Sequence, residues 1–237
     1  KQVLIPLEKE REKLENKIKA KETEFKQLER NIIALRSGKF VIRSGQSLII
    51  SEIISSSQED IKSQIEEIII NANKYTYNIV KPKSKKVKNV LLLRKNHIEE
   101  IQNTILNDGG NWVINIKSVR NVLIGENFVY AFPELTENKI IVRKGEKITK
   151  IDFKQEDFNK KDFGDKVNFL LSSSLAEIKR RGSLVNEIKL RGDSIKELRD
   201  FLNKNDKTNF ELEVVSLFNS KTAQPVIVEL NVNYPES

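Results

Sequence analysis

Apolar residues recur every three and four positions through the first 36 residues. With Leu4, Arg11, Ile18, Phe25 and Ile32 at the first heptad position, Leu7, Leu14, Lys21, Leu28 and Leu35 fall at the fourth, so eight of the ten seam positions are apolar. The positions around them are dense in Lys and Glu, as on a solvated flank. The pattern predicts a coiled-coil helix over residues 1–36, with Leu14, Ile18, Phe25, Leu28, Ile32 and Leu35 as the candidate oligomer seam. Pro6 fits this poorly and makes the first turn irregular. The competing reading is an amphipathic helix folded back on its own domain. "RSGK" at Arg36–Lys39 ends the helix, with Gly38 as a left-handed cap.

Beyond the helix one pattern is written twice. "FVIRSGQSL" matches "IIVRKGEKI", pairing Arg43 with Arg143 and Gly45 with Gly145. A helix follows each: "SQEDIKSQIEEIIINANKY", capped by Ser57 with acidic residues in its first turn, and "GDKVNFLLSSSLAEIKRRG", which closes on basic residues and Gly182. Short apolar strands come next at Asn89–Arg94 and Asn186–Arg191. Second helices are capped by Asn96 and Asp193, and Ile98, Ile101 and Ile105 correspond to Ile195, Leu198 and Leu202. Trp112, Ile114 and Ile116 then alternate with polar neighbours as Phe210, Leu212 and Val214 do, the mark of half-buried strands. "FVYAF" and "PVIVEL" close the copies. The fold expected is α/β, with α+β as its variant: a coiled-coil helix over 1–36, then two tandem β-α-β-α-β-β repeats over 37–137 and 138–237.

Composition narrows the chemistry. The 237 residues contain no cysteine and a single histidine, His97. That removes disulfides, thiolate metal sites, cysteine nucleophiles and histidine-rich metal centres. His97 follows the Asn96 cap, where an exposed neutral histidine is ordinary. No apolar run approaches the ~20 residues needed to span a bilayer. The chain opens at a lysine within a helical pattern and contains no methionine. It therefore reads as a fragment whose upstream part is missing.

The net charge of +8 is unevenly placed: residues 81–100 hold seven basic and two acidic side chains, most of the excess lying in "KPKSKKVK". Lys81, Lys83, Lys85, Lys86 and Lys88 are candidate phosphate contacts, for nucleic acid or an anionic membrane surface. A solvated loop is the simpler account, since no aromatic residues interleave with the lysines, although Tyr75 and Tyr77 lie just upstream. The turns at Arg43 and Gly45 and at Arg143 and Gly145 are a candidate paired anion site, set against two ordinary glycine turns. In "NVLIGE", Val122, Leu123 and Ile124 are a candidate partner patch, unless they fold into the core. Carboxylates are plentiful, but the two copies do not repeat them, which argues against a duplicated metal or acid–base site. No catalytic, cofactor or metal residue is assigned.

Three stretches carry a resemblance to a known family: "LRSGKFVIRSGQSL" after the heptads, "WVINIKSVRNVLIGE" with Asn121, Gly125 and Glu126, and "NKIIVRKGEKI". Their order and texture resemble the cyanobacterial proteins of domain of unknown function 3084, described as having a myosin-like domain, over nearly the whole chain. The resemblance implies a membrane anchor upstream, then a coiled coil, then this globular end. It implies no mechanism.

The function expected is a non-enzymatic coiled-coil scaffold or protein-interaction module, the soluble part of a membrane-anchored protein, on the cytoplasmic side by preference. It is expected to form a homodimer through the coiled coil and to present the repeats to a protein partner without a cofactor. The alternative is a nucleic-acid-binding protein using the Lys81–Lys88 segment.

Overall fold

A computed structural model of the chain describes residues 4–36, 40–54, 57–82, 88–154, 160–204 and 209–233. In chain order its elements are α1 (Leu4–Arg36), β1 (Ser47–Ile53), α2 (Gln58–Val80), β2 (Leu91–Leu92), α3 (Lys95–Asp108), β3 (Trp112–Ser118), β4 (Val129–Glu137), β5 (Ile140–Val142) and β6 (Lys147–Phe153). They continue with α4 (Lys160–Arg180), β7 (Ile188–Leu190), α5 (Ser194–Lys204), β8 (Phe210–Ser216), β9 (Ser220–Lys221) and β10 (Val226–Asn233). Among the described residues the strands form two four-stranded sheets, ordered β1-β3-β4-β2 and β6-β8-β10-β7, and a two-stranded sheet of β5 with β9. Two compact units result. One comprises Lys1–Ile49, Glu67–Ile98 and Ile116–Pro133, and the other Ile50–Glu66, Glu99–Asn115 and Glu134–Ser237.

The second sheet is mixed. β8 pairs antiparallel with β6 and β10, and β10 pairs parallel with β7. Alternation along β8 sends Phe210, Leu212 and Val214 into a core with Phe153, Val167, Leu170, Ile178, Val226 and Val228. Phe153 and Phe210, opposite each other in register, stack with centroids 5.1 Å apart. In the first unit Ile42, Leu48, Ile68, Ala72, Tyr77, Val80, Val90, Ile116, Val122, Val129 and Ala131 are buried, with β2 parallel to β4.

Helix ends follow local chemistry. The Ser57 hydroxyl accepts from the Asp60 amide at 3.2 Å, an N-cap at the head of α2. α4 stops where Gly182 donates to the Lys179 carbonyl and Ser183 to the Ile178 carbonyl, the paired bonds of a Schellman cap. The Glu197 amide donates to the Asp193 carbonyl, so Asp193 stands at the cap of α5. Asn96 is different: α3 already starts at Lys95, which places Asn96 inside the helix.

The expected fold is overturned. Among the described residues there are five helices, and ten strands form three mixed sheets, of which the β5–β9 sheet has no place in a pair of six-element α/β repeats. The coiled coil also falls. In α1 every side chain from Glu10 to Lys26 is exposed, on all faces, over a span of roughly 25 Å at 1.5 Å per residue. This helix is not a long coiled coil. Its seam is interrupted by Arg11 and Lys21, and both turn to the helix's own carboxylates, Arg11 to Glu15 at 3.4 Å and Lys21 to Glu24 at 2.7 Å. Exposed pairs at this spacing stabilise a helix by a few tenths of a kcal/mol without any partner.

One ion network joins the end of α4 to the turn before β6. Arg181 donates to Glu177 at 2.8 Å and also reaches Glu146, while Arg180 forks onto Glu177 with two bonds of 2.9 Å. Arg180 first, then Arg181, hold the Glu177 carboxyl down to about 2 from an ordinary 4.5. A carboxyl that binds its proton less readily when folded contributes stability above its unfolded value and loses it as pH falls. The stability gap between the parent and Glu177→Gln, read from denaturant midpoints, should be full above pH 4.5 and close as pH falls to about 2. A gap constant across that window would refute the network.

Candidate docking surface on the first sheet

The loop between β3 and β4 is tied down by the turn that precedes β1. Gly45 has φ 77°, the left-handed geometry that glycine adopts without a side-chain clash. Its amide donates to the Ser118 carbonyl at 2.8 Å, and the Ser118 amide donates to the Gln46 carbonyl at 3.0 Å. Arg43 donates to the Gln46 side-chain oxygen at 2.9 Å, Gln46 donates to the Arg43 carbonyl at 3.1 Å, and Ser44 donates to Asn121 Oδ1 at 2.8 Å. The second copy repeats each bond. Gly145 donates to Ser216, Ser216 to Glu146, Arg143 to the Glu146 carboxylate, Glu146 to Arg143 and Lys144 to Asn219. The Arg143 amide is the main reason the Glu146 carboxyl sits below its ordinary range, with Arg181 adding to it.

Both turns of the candidate anion site thus have four consecutive amides already engaged, at Arg43–Gln46 and Arg143–Glu146. An anion held by backbone amides has no open nest in either. The two turns lie in different units.

Past Asn121 the chain turns inward. Val41 donates to the Val122 carbonyl at 2.9 Å and Val122 to the Ile42 carbonyl at 2.8 Å. Val122 is fully buried and Leu123 nearly so, which removes two of the three residues of the expected partner patch. The next turn is closed by Glu126, whose Oε1 accepts from the Leu123 amide at 2.8 Å and whose Oε2 accepts from Arg120 at 3.1 Å. Gly125 donates to the Val80 carbonyl at 2.8 Å. Ile124, at the tip, is 54% exposed.

On either side of this loop in sequence, and on β2, the structure exposes residues the sequence reading missed. Val119 donates to the Tyr130 carbonyl at 2.9 Å, the Arg120 guanidinium lies 5.0 Å over the Tyr130 ring, and Leu92 stands opposite Tyr130 in the parallel β2–β4 register. Val119, Phe128, Tyr130 and Leu92 are between 39% and 51% exposed. The signal was present in "FVYAF": when every position of a strand is apolar and Val129 and Ala131 enter the core, Phe128 and Tyr130 must face outward. The matching stretch of the second unit differs at two places. Thr222, in the place of Ile124, is buried, and Lys189 stands in the place of Leu92.

The basic run starts at this surface. Lys81 Nζ donates to Asn127 Oδ1 at 2.9 Å, and the Lys88 carbonyl accepts from Asn73 at 3.1 Å. Lys83, Lys85 and Lys86 lie outside the described residues. On α1, Leu14, Ile18, Phe25, Leu28 and Ile32 are exposed, and the side chain of Leu35 lies outside the described ones. His97 is half-buried in the first turn of α3.

In the second unit Asp152, Phe153, Lys154, Asn209, Phe210, Glu211 and Asn233 line a groove of about 360 Å³ at the end of the sheet. Asp152, Glu211 and Asn233 are register neighbours across β6, β8 and β10, and Lys150 already pairs with Glu211 at 2.6 Å. Among the described residues no group of three or more His, Asp or Glu is placed to hold a metal ion, and no helix is long and apolar enough to cross a membrane. Comparison with protein-family models, curated proteins and solved structures finds no match.

If the turns serve as latches, Gly145→Ala is expected to lower stability by ~1–2 kcal/mol, the penalty for placing a Cβ in left-handed backbone. Open space surrounds the Gly145 position, so packing adds nothing to that figure. A denaturant midpoint equal to the parent's would show that the turn does not hold the sheet.

Proposed function

We propose that this chain is a non-enzymatic protein-interaction module whose contact surface is the face carrying Val119, Ile124, Phe128 and Tyr130. The observation that supports the reading is a half-exposed apolar cluster on a fully hydrogen-bonded frame. A partner meets side chains whose positions are already set, so little ordering entropy is lost on docking. Exposed tyrosine, phenylalanine and arginine are also the side chains enriched at the centres of protein interfaces.

The magnitudes favour a transient contact. Covering the exposed half of each apolar side chain stabilises a complex by roughly 1 kcal/mol. Five such side chains, Leu92 included, contribute roughly 5 kcal/mol, against an association cost of about 4–15 kcal/mol. Additional polar contacts are therefore required for binding. The surface suits a weak, exchanging partner better than an obligate one.

Self-association is a second contact in this reading, with another copy of the chain against the face of α1 where Leu14, Ile18, Phe25, Leu28 and Ile32 are 49–69% exposed. The resemblance to the domain of unknown function 3084 proteins supplies the setting: attachment to a membrane through a segment outside this sequence, on its cytoplasmic side. Nucleic-acid binding through Lys81–Lys88 is the competing reading. It draws less support, because no aromatic residues interleave with the lysines to stack bases.

Two measurements test the module. With p-benzoylphenylalanine in place of Ile124, irradiation of the chain in its native cells should give one discrete protein adduct, lost when Phe128→Glu is added; a smear indifferent to that change would refute the docking face. Light scattering of the full chain should show a mass that rises with concentration, and Phe25→Glu should hold it at 27.4 kDa. A parent that stays at the monomer mass at every concentration would remove the α1 contact.

A further inference from the structure

The apolar centre of this face is ringed by positive charge. Arg120 lies over Tyr130, Lys81 reaches Asn127 beside Phe128, and Lys88 and Arg94 flank β2 as exposed residues. Between Arg120 and Tyr130 the sequence contains one acidic residue, Glu126, and its two oxygens are taken by the Leu123 amide and Arg120. Arg120 spends one terminal nitrogen on Glu126, and a guanidinium carries five N–H donors, so it keeps others to offer. The stretch from Arg120 to Tyr130 thus offers a guanidinium and has its single carboxylate engaged.

The backbone edge offers less. Asn73 Oδ1 accepts from the amides of Val90 and Leu91 at 2.9 and 3.1 Å, so these donors are spent where an added strand would seek them. A partner must read side chains. Tyr130 and Leu92 sit within paired strands, and Arg120 covers one face of the Tyr130 ring.

We infer that the occupant is an acidic amphipathic segment of a partner protein, its apolar side chains seated on Val119, Ile124, Phe128 and Tyr130 and its carboxylates facing Lys81, Lys88 and Arg120. This rests on the reading of the face as a docking surface. Charge complementarity also supplies the polar contacts that the apolar area alone lacks.

The test is amide NMR on the full ¹⁵N-labelled chain. The probes are a synthetic peptide of about fifteen residues, with Leu and Phe at i, i+3, i+4 and i+7 and Glu elsewhere, and a second peptide with Lys in place of every Glu. Phosphatidylcholine–phosphatidylserine vesicles and single-stranded DNA are added separately. The acidic peptide should shift the amides of Val119–Tyr130, bind about tenfold tighter than the basic one, and lose about tenfold with Ile124→Glu or Lys81→Glu. Unchanged spectra away from the face confirm that these variants fold. Equal binding of both peptides at the face overturns the acidic occupant and leaves the docking surface standing. Loss of all peptide shifts there overturns both. Binding of vesicles or DNA that Lys81→Glu abolishes, with the acidic peptide inert, overturns the inference in favour of that surface.

Discussion

Backbone amides must find acceptors, and in this protein a four-residue turn meets that demand twice with one set of bonds. The amides of this turn are exposed and could bond water instead, but four engaged at once within the protein fix a single shape for the turn. In each copy it fastens the residues before a first strand to the end of the strand beside it: Gly45 to Ser118 and Gln46 to Ser118 in one, Gly145 to Ser216 and Glu146 to Ser216 in the other. An asparagine one turn further on, Asn121 or Asn219, completes the latch. The loop that follows is held at its root, and for that reason the side chains it carries have definite places.

On that shared turn geometry the two stretches differ. Lys147 pairs with the buried Glu213 at 2.5 Å in the second copy, where the first has Ser47 and the buried Asn115. Gln46 closes one turn with a neutral amide, whereas Glu146 closes the other with a carboxylate that Arg181 also engages. Ion pairs thus stand at Lys147 and Glu146 where Ser47 and Gln46 are neutral, and β4 carries the exposed Tyr130.

The N-terminal helix shows how a pattern can be correct in period and misleading in consequence. Its apolar residues do recur on one stripe, but exposed ion pairs within the helix suffice for its local geometry. A heptad repeat is a statement about one helix. A coiled coil is a statement about two.

Local chemistry by itself determined a good deal here. Period-two and period-3.6 alternation placed β3 and β8 and much of α2 and α4, and the caps at Ser57, Asp193 and Gly182 followed from side-chain and backbone hydrogen bonding within a few residues. The duplicated Arg-x-Gly turns were legible for the same reason, since their glycine geometry is intrinsic. What spans the chain was decided only by tertiary structure. The β5–β9 sheet pairs residues about eighty positions apart. Val122 and Leu123 are core and Ile124 is surface because Ile42 and Glu126 bond the loop on either side of that boundary. Lys81 and Asn127, or Leu92 and Tyr130, become neighbours through strand pairing and loop closure, and no local periodicity encodes that approach.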